Sequence, residues 1–180
     1  MNLDDLDFIR SVDRENLLQH VDNFADQIEN AWRLASTLPL PGTHRTPRQI
    51  VLCGMGGSAI GGDLLAALIS PTARIPMSVV RQYTLPAYVQ GPDTLVITSS
   101  FSGNTEETLT AADQALERGV RMLAITTGGK LAAHANQHGY PLWQFDYQSQ
   151  PRTALGWSFG LLIGLAHRLE LVPNLEADLR

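Results

Sequence analysis

The chain has 180 residues, slightly more than one ordinary domain length of about 150, so one globular unit with a modest extension is expected rather than two full domains. Hydrophobic residues make up 44% and charged residues 17%, enough apolar material for a core, which excludes global disorder. Thirteen Lys+Arg against eighteen Asp+Glu leave a net charge of −5, which argues against nucleic acid or an anionic membrane and favours a small or neutral partner.

Lys130 is the only lysine, so an anion site here must rest on arginine, hydroxyls, backbone N–H groups and helix ends. The lone Cys53 has no partner for an internal disulfide and sits in an apolar run, which predicts a small core hydrophobe and a reducing, cytoplasmic setting. The N-terminus is acidic where an export signal carries positive charge. The longest apolar run, residues 154–166, is broken by Ser158 and falls well short of the about 20 residues that span a bilayer.

In chain order, Leu17, Leu18, Val21, Phe24, Ala25, Ile28, Trp32, Ala35 and Leu38 recur at helical spacing and predict one amphipathic helix over residues 16–38. Pro39, Pro41, Gly42 and Pro47 mark a connector, and the domain proper is expected over residues 49–170 after an extension of residues 1–48. Short strands at 50–53, 77–80, 94–98, 122–125 and 141–143 alternate with helical patterns at 59–69, 105–118, 131–137 and 154–166. The strands are continuous apolar runs rather than alternating ones, which implies burial on both faces: a doubly wound α/β sandwich on a parallel sheet. Ligands of such sheets gather at the carboxyl ends of the strands, so the loops after Cys53 and Thr98 are the candidate site.

The first of these loops, Gly54-Met55-Gly56-Gly57-Ser58-Ala59, lets a ligand approach the backbone closely. Gly54, Gly56 and Ala59 fit the dinucleotide fingerprint, yet residues 70–82 hold no acidic residue for a ribose; only Arg81, facing a 2′-phosphate, keeps an NADP reading open. Gly128-Gly129-Lys130-Leu131 lacks the hydroxyl residue and upstream glycine of a P-loop and reads as a helix start. The second loop places Ser100, Ser102 and Thr105 at a helix N-terminus, a phosphate cradle without lysine. Asn104 and Glu107 approximate a capping box, which assigns Asn104, Glu106 and Glu107 to structure and the serines to ligand. His134 and His138 share a helix face, but two ligands close no metal site, so they read as surface residues; His20, His44 and His167 have no convergent partners in sequence.

Four segments, residues 54–65, 100–108, 127–131 and 150–156, occur together in an order that resembles the sugar isomerase (SIS) domain family, and within it the bacterial and archaeal bifunctional phosphoglucose/phosphomannose isomerases. The resemblance implies a five-stranded parallel sheet between helical layers. It implies that Gly56, Gly57 and Ser58 line a sugar and that Ser100, Ser102 and Thr105 bind its phosphate. Arg152 would stabilise a cis-enediolate as glucose 6-phosphate or mannose 6-phosphate isomerises to fructose 6-phosphate, with no metal or redox cofactor. Members have two such domains, with a glutamate base and a ring-opening histidine in the second, and assemble as homodimers. Residues 171–180 resemble the start of the connection to that second domain, so this chain is expected to carry the phosphate half of a site. A non-catalytic sugar-phosphate binding or assembly module is the alternative. Gly156, Gly160 and Gly164 form a stripe on the last helix that calls for a close partner, either the chain's own sheet or another domain or subunit.

Overall fold

A computed structural model describes residues 4–178. Five strands, β1 (Gln49–Gly54), β2 (Met77–Val80), β3 (Thr94–Ser100), β4 (Arg121–Thr126) and β5 (Leu142–Gln144), form one parallel sheet in the order β2-β1-β3-β4-β5. Seven helices accompany them: α1 (Leu6–Val12), α2 (Leu17–Asp22), α3 (Phe24–Thr37), α4 (Gly56–Ile69), α5 (Glu106–Glu117), α6 (Gly129–His138) and α7 (Leu155–Arg168). The expected three-layer sandwich with an N-terminal helical extension is the observed fold.

Successive strand residues point to opposite faces, and both faces are filled. Ile50, Leu52, Leu95, Ile97, Leu123 and Ile125 turn to one cluster, completed by Leu65 of α4 and Leu161 and Leu165 of α7. Val51, Cys53, Val96, Met122 and Ala124 turn to the other, under Ala111 and Ala115 of α5 and Leu131 and Ala135 of α6. All seven residues of β3 are buried, as its continuous apolar character requires. Burial pushes the Cys53 thiol up to about 12, so it stays a neutral core group.

The single leading helix expected over residues 16–38 is in fact two, preceded by a third that the apolar spacing does not reveal. The Asp13 carboxylate accepts the N–H groups of Leu17 (2.8 Å) and Leu18 (2.9 Å), starts α2 and is itself held below the usual carboxylate range by those bonds. Asn23 ends α2, its N–H donating to Gln19 O at 3.0 Å and its side chain accepting from Gln19 Nε2 at 2.9 Å.

Within the chain the glycine stripe lies against α3 rather than the sheet. A Cβ at Gly156, Gly160 or Gly164 would lie 2.7, 2.7 and 2.4 Å from the Cβ atoms of Gln27, Ala31 and Ala35, so two rows of four-residue spacing interlock. Arg168 Nη1 donates to Ala35 O (2.7 Å) and Leu38 O (2.5 Å), and Trp143 Nε1 donates to Pro39 O (2.7 Å). The connector is pinned by buried His44, whose Nε2 donates to Met122 O at 3.0 Å. Ala31, Ala35 and Leu40 thereby join the same hydrophobic cluster as the sheet.

Candidate functional site

The strand order reverses at β1 and β3, the first leading to α4 on one face and the second to α5 on the other. Their carboxyl ends touch: a Cβ at Gly54 would lie 2.8 Å from Ser99 O. The glycine loop and the hydroxyl loop therefore emerge side by side.

The glycine loop is not a free turn, because α4 begins at Gly56, three residues before the expected start at Ala59. Met55 is extended and offers no side-chain cap, and the first turn carries no acidic residue. Its leading N–H groups, those of Gly56, Gly57 and Ser58, receive no side-chain cap at the sheet's carboxyl end, as an anion requires.

In the second loop Ser100 is buried, and its Oγ lies 2.8 Å from Thr105 Oγ1 while accepting the Gly103 N–H at 3.1 Å. Ser102 is exposed, its Oγ accepting the Asn104 N–H at 3.2 Å. The cap of α5 is Thr105, not Asn104, and the expected capping box does not form. The Asn104 side chain turns away, Oδ1 accepting from Lys130 N (3.2 Å) and Nδ2 donating to Ser102 O (3.0 Å). Thr105 spends its hydroxyl on Ser100, which leaves the first turn of α5 without a side-chain cap. Glu106 Oε2 accepts from the Tyr83 hydroxyl at 3.4 Å, and the charges of Glu107 and Glu106 hold that phenol above its usual value.

A third loop locks the second. Gly103 (φ +67°) and Gly129 (φ +68°) take left-handed conformations where no side chain fits: a Cβ at Gly103 would lie 1.9 Å from Gly128 O, and one at Gly129 would lie 2.3 Å from Ser102 O. Leu131 N donates to Gly103 O (2.9 Å), and Thr127 donates to Phe101 O through both N (3.1 Å) and Oγ1 (2.6 Å). The helix start expected at Gly128-Gly129 is present, and it serves to brace the serine loop.

Arg152 comes to the same end of the sheet on a 3-10 turn, Pro151–Ala154, which lies against α4 so closely that a Cβ at Gly57 would be 3.2 Å from Pro151 O. Gly57, Ser58, Ser99, Phe101, Pro151 and Ser158 line one narrow cleft of about 10 Å³, room for roughly one water. Of the expected site residues only Gly57 and Ser58 line this cleft; Gly56, Ser100, Ser102, Thr105 and Arg152 do not, although they belong to the segments that carry its lining residues Gly57, Ser99, Phe101 and Pro151. None of the residues lining the cleft is a carboxylate or a histidine.

The histidines are otherwise engaged. Of the two histidines expected at the surface, His138 is exposed, whereas His134 is partly buried between Asp113 Oδ1 (Nε2, 3.0 Å) and the Tyr140 hydroxyl (Nδ1, 2.9 Å). His20 lies 2.5 Å from the Tyr147 hydroxyl, and His167 stacks on Trp32. Among the described residues no group of three or more His, Cys, Asp or Glu is placed to hold a metal ion. Arg81, the residue that kept the NADP reading open, is paired with Asp63 of α4, and the order β2-β1-β3-β4-β5 is not the 3-2-1-4 order of dinucleotide-binding sheets. Sequence reasoning missed the brace of Gly128-Gly129 on the serine loop, a close approach signalled only by its glycines.

Residues 45–140 match the family model of the SIS domain. The bifunctional phosphoglucose/phosphomannose isomerase of Caldicellulosiruptor bescii is 42% identical over 160 residues, 89% of this chain and 47% of that protein. The enzyme of the same description from Aquifex aeolicus is 37% identical over 154 residues, 84% of this chain and 45% of its own length. The chain thus spans about half the length of the curated relatives it matches. Among solved structures, the C-terminal domain of glucosamine-fructose-6-phosphate aminotransferase from Francisella tularensis shares the fold with a TM-score of 0.69 at 12% identity, covering 92% of this chain and 53% of that one.

Proposed function

Because the chain belongs to the SIS domain family, we propose that it forms the sugar-phosphate-binding half of an aldose–ketose isomerase acting on glucose 6-phosphate or mannose 6-phosphate and fructose 6-phosphate. The observation that carries this reading is that two helix N-termini without side-chain caps, those of α4 and α5, follow adjacent strands at the same end of the sheet, the second of them beside the Ser100–Thr105 hydroxyl pair. Backbone N–H groups and short hydroxyls suit the acceptor oxygens of a phosphomonoester and need no lysine.

In this reading Ser100, Ser102 and Thr105 hold the phosphate, and the sugar lies across the cleft mouth over Gly56, Gly57 and Ser58. Arg152 faces the reacting carbons. As a proton moves between C1 and C2, an oxyanion develops on the cis-enediolate, and a guanidinium charged at every accessible pH stabilises it. The chemistry also needs a base for that proton and an acid to open the ring. With no carboxylate or histidine in the cleft lining, both come in this reading from a second SIS domain, in a cytoplasmic homodimer that uses no metal or redox cofactor. The same absence favours a second reading, in which these 180 residues bind a sugar phosphate without turning it over.

Calorimetric titration with fructose 6-phosphate, followed by product analysis, tests both. Ser100→Ala with Ser102→Ala removes two donors to a charged group and is expected to weaken fructose 6-phosphate binding at least tenfold while leaving the response to unphosphorylated fructose unchanged. Unchanged sugar-phosphate affinity refutes the cradle. Binding without product supports the half-site, whereas turnover means that a base lies within these residues.

A further inference from the structure

Arg152 makes no ion pair or hydrogen bond among the described residues, so the place of its guanidinium depends on the backbone turn beneath it. That turn closes on itself: Thr153 donates to Gln150 O through N (3.0 Å) and Oγ1 (2.8 Å), and its hydroxyl also meets that of Ser149. Besides the packing of Pro151 on α4 and the continuation of the turn into α7, the segment leading into the turn is tied down upstream, at Tyr147. Its ring packs at 5.9 Å from that of Trp157 on α7, and its hydroxyl meets His20 Nδ1 (2.5 Å) and accepts from Gln27 Nε2 (3.1 Å).

Gln27 is buried, only 3% exposed, and its other N–H donates to His20 O at 3.0 Å. Both amide hydrogens are thus used to tie α2 and the Tyr147 segment to α3. Its Oε1, however, is buried without a partner, a cost that an apolar side chain of the same size avoids. Gly156, on the first turn of α7, lies directly on Gln27, so the amide sits where α2, α3, α7 and the approach to Arg152 converge. None of Gln27, Tyr147 and Arg152 falls within residues 45–140, the part that defines the family match.

We propose that Gln27 and Tyr147, with His20, are positioning residues that fix the turn bearing Arg152 and thereby hold its guanidinium beside the sugar. The N-terminal helices then form part of the functional apparatus rather than an appendage. This inference rests on the role given to Arg152 above.

Tyr147→Phe keeps the ring against Trp157 and removes the hydroxyl. Amide exchange at Thr153 is expected to rise about fivefold, the order for one withdrawn hydrogen bond, with the amides of β1 and β3 unchanged. Affinity for fructose 6-phosphate is expected to fall about fivefold, but not to fall further when the substitution is made on Arg152→Ala; affinity for inorganic phosphate stays constant throughout. Gln27→Leu guards against a trivial loss of folding: it removes both ties together with the unpaired carbonyl and is expected to reproduce both effects in a chain that still unfolds cooperatively. Unchanged exchange at Thr153, or an equal loss of affinity with and without Arg152, overturns the proposal. If Arg152→Ala itself leaves affinity intact, the assignment of Arg152 falls and the coupling with it. If Arg152→Ala weakens binding and Tyr147→Phe does not, only the positioning role falls.

Discussion

Gly164→Ala and Gly160→Ala look alike in sequence but are expected to behave differently. Each replacement gains about 1 kcal/mol in helix propensity. At Gly164 the new methyl would lie 2.4 Å from Ala35 Cβ, with the next atoms, Trp32 O and Ala35 Cα, at 3.7 and 3.8 Å, so the clash is with one methyl group. Overpacking of this kind costs about 2 kcal/mol, leaving a net loss of about 1 kcal/mol. Ala35→Gly alone also loses about 1 kcal/mol. The double variant exchanges the two residues across the seam, relieves the clash and should return close to wild type, a coupling of about 2 kcal/mol. At Gly160 the methyl meets Ala31 Cβ at 2.7 Å and also the backbone of α3, Ile28 O at 2.7 Å and Ile28 Cα at 3.0 Å. Ala31→Gly leaves the backbone clash in place, so rescue there should be less than half as large. Urea unfolding of the four single and two double variants, with slopes compared to verify two-state behaviour, reads these differences directly. Additive effects at the 164/35 pair, or equal rescue at both pairs, would refute the account of the α3–α7 seam.

Gly103→Ala forces a methyl to 1.9 Å from Gly128 O at φ +67° and is expected to cost about 3 kcal/mol and abolish sugar-phosphate binding, whereas Gly119→Ala, at φ +62° with open space, should cost only about 1 kcal/mol in thermal unfolding. Burial depresses the His44 imidazole from its ordinary 6.5, so the unfolded chain takes up that proton first. Stability from this group is therefore complete above about pH 6.5 and falls as the pH drops toward the folded value; His44→Gln should flatten that part of a plot of urea midpoint against pH. With its thiol buried and pushed up to about 12, Cys53 should react with a disulfide reagent at about pH 8 only as fast as the protein opens, and rapid reaction of the native chain would contradict its placement.

Much of this architecture is legible in the residues because the signals are local. Continuous apolar runs such as 94–100 have to be buried on both faces, and glycines followed by a helical pattern after the first strand have to form a close-approach turn. The candidate phosphate residues are visible for the same reason: Ser100, Ser102 and Thr105 lie within six positions of one another. Where local signals compete, sequence reasoning errs. Asn104 has the side chain of an N-cap, but the Lys130 N–H claims its oxygen from the first turn of α6, 26 residues away. The 16–38 periodicity runs through the break at Asn23, whose polar atoms leave no mark on an apolar pattern.

By itself the amino-acid sequence determined the fold class and the end of the sheet at which the glycine and serine loops emerge, because each follows from the character of neighbouring residues and from strand–helix alternation. The partner of the glycine stripe, the brace of Gly128-Gly129 on the serine loop and the hold of Gln27 and Tyr147 on the Arg152 turn were decided only in three dimensions. The reason is physical: these contacts join residues up to 129 positions apart, as Gly164 and Ala35 are, and their energies depend on ångström-scale fit between surfaces that no local spacing encodes.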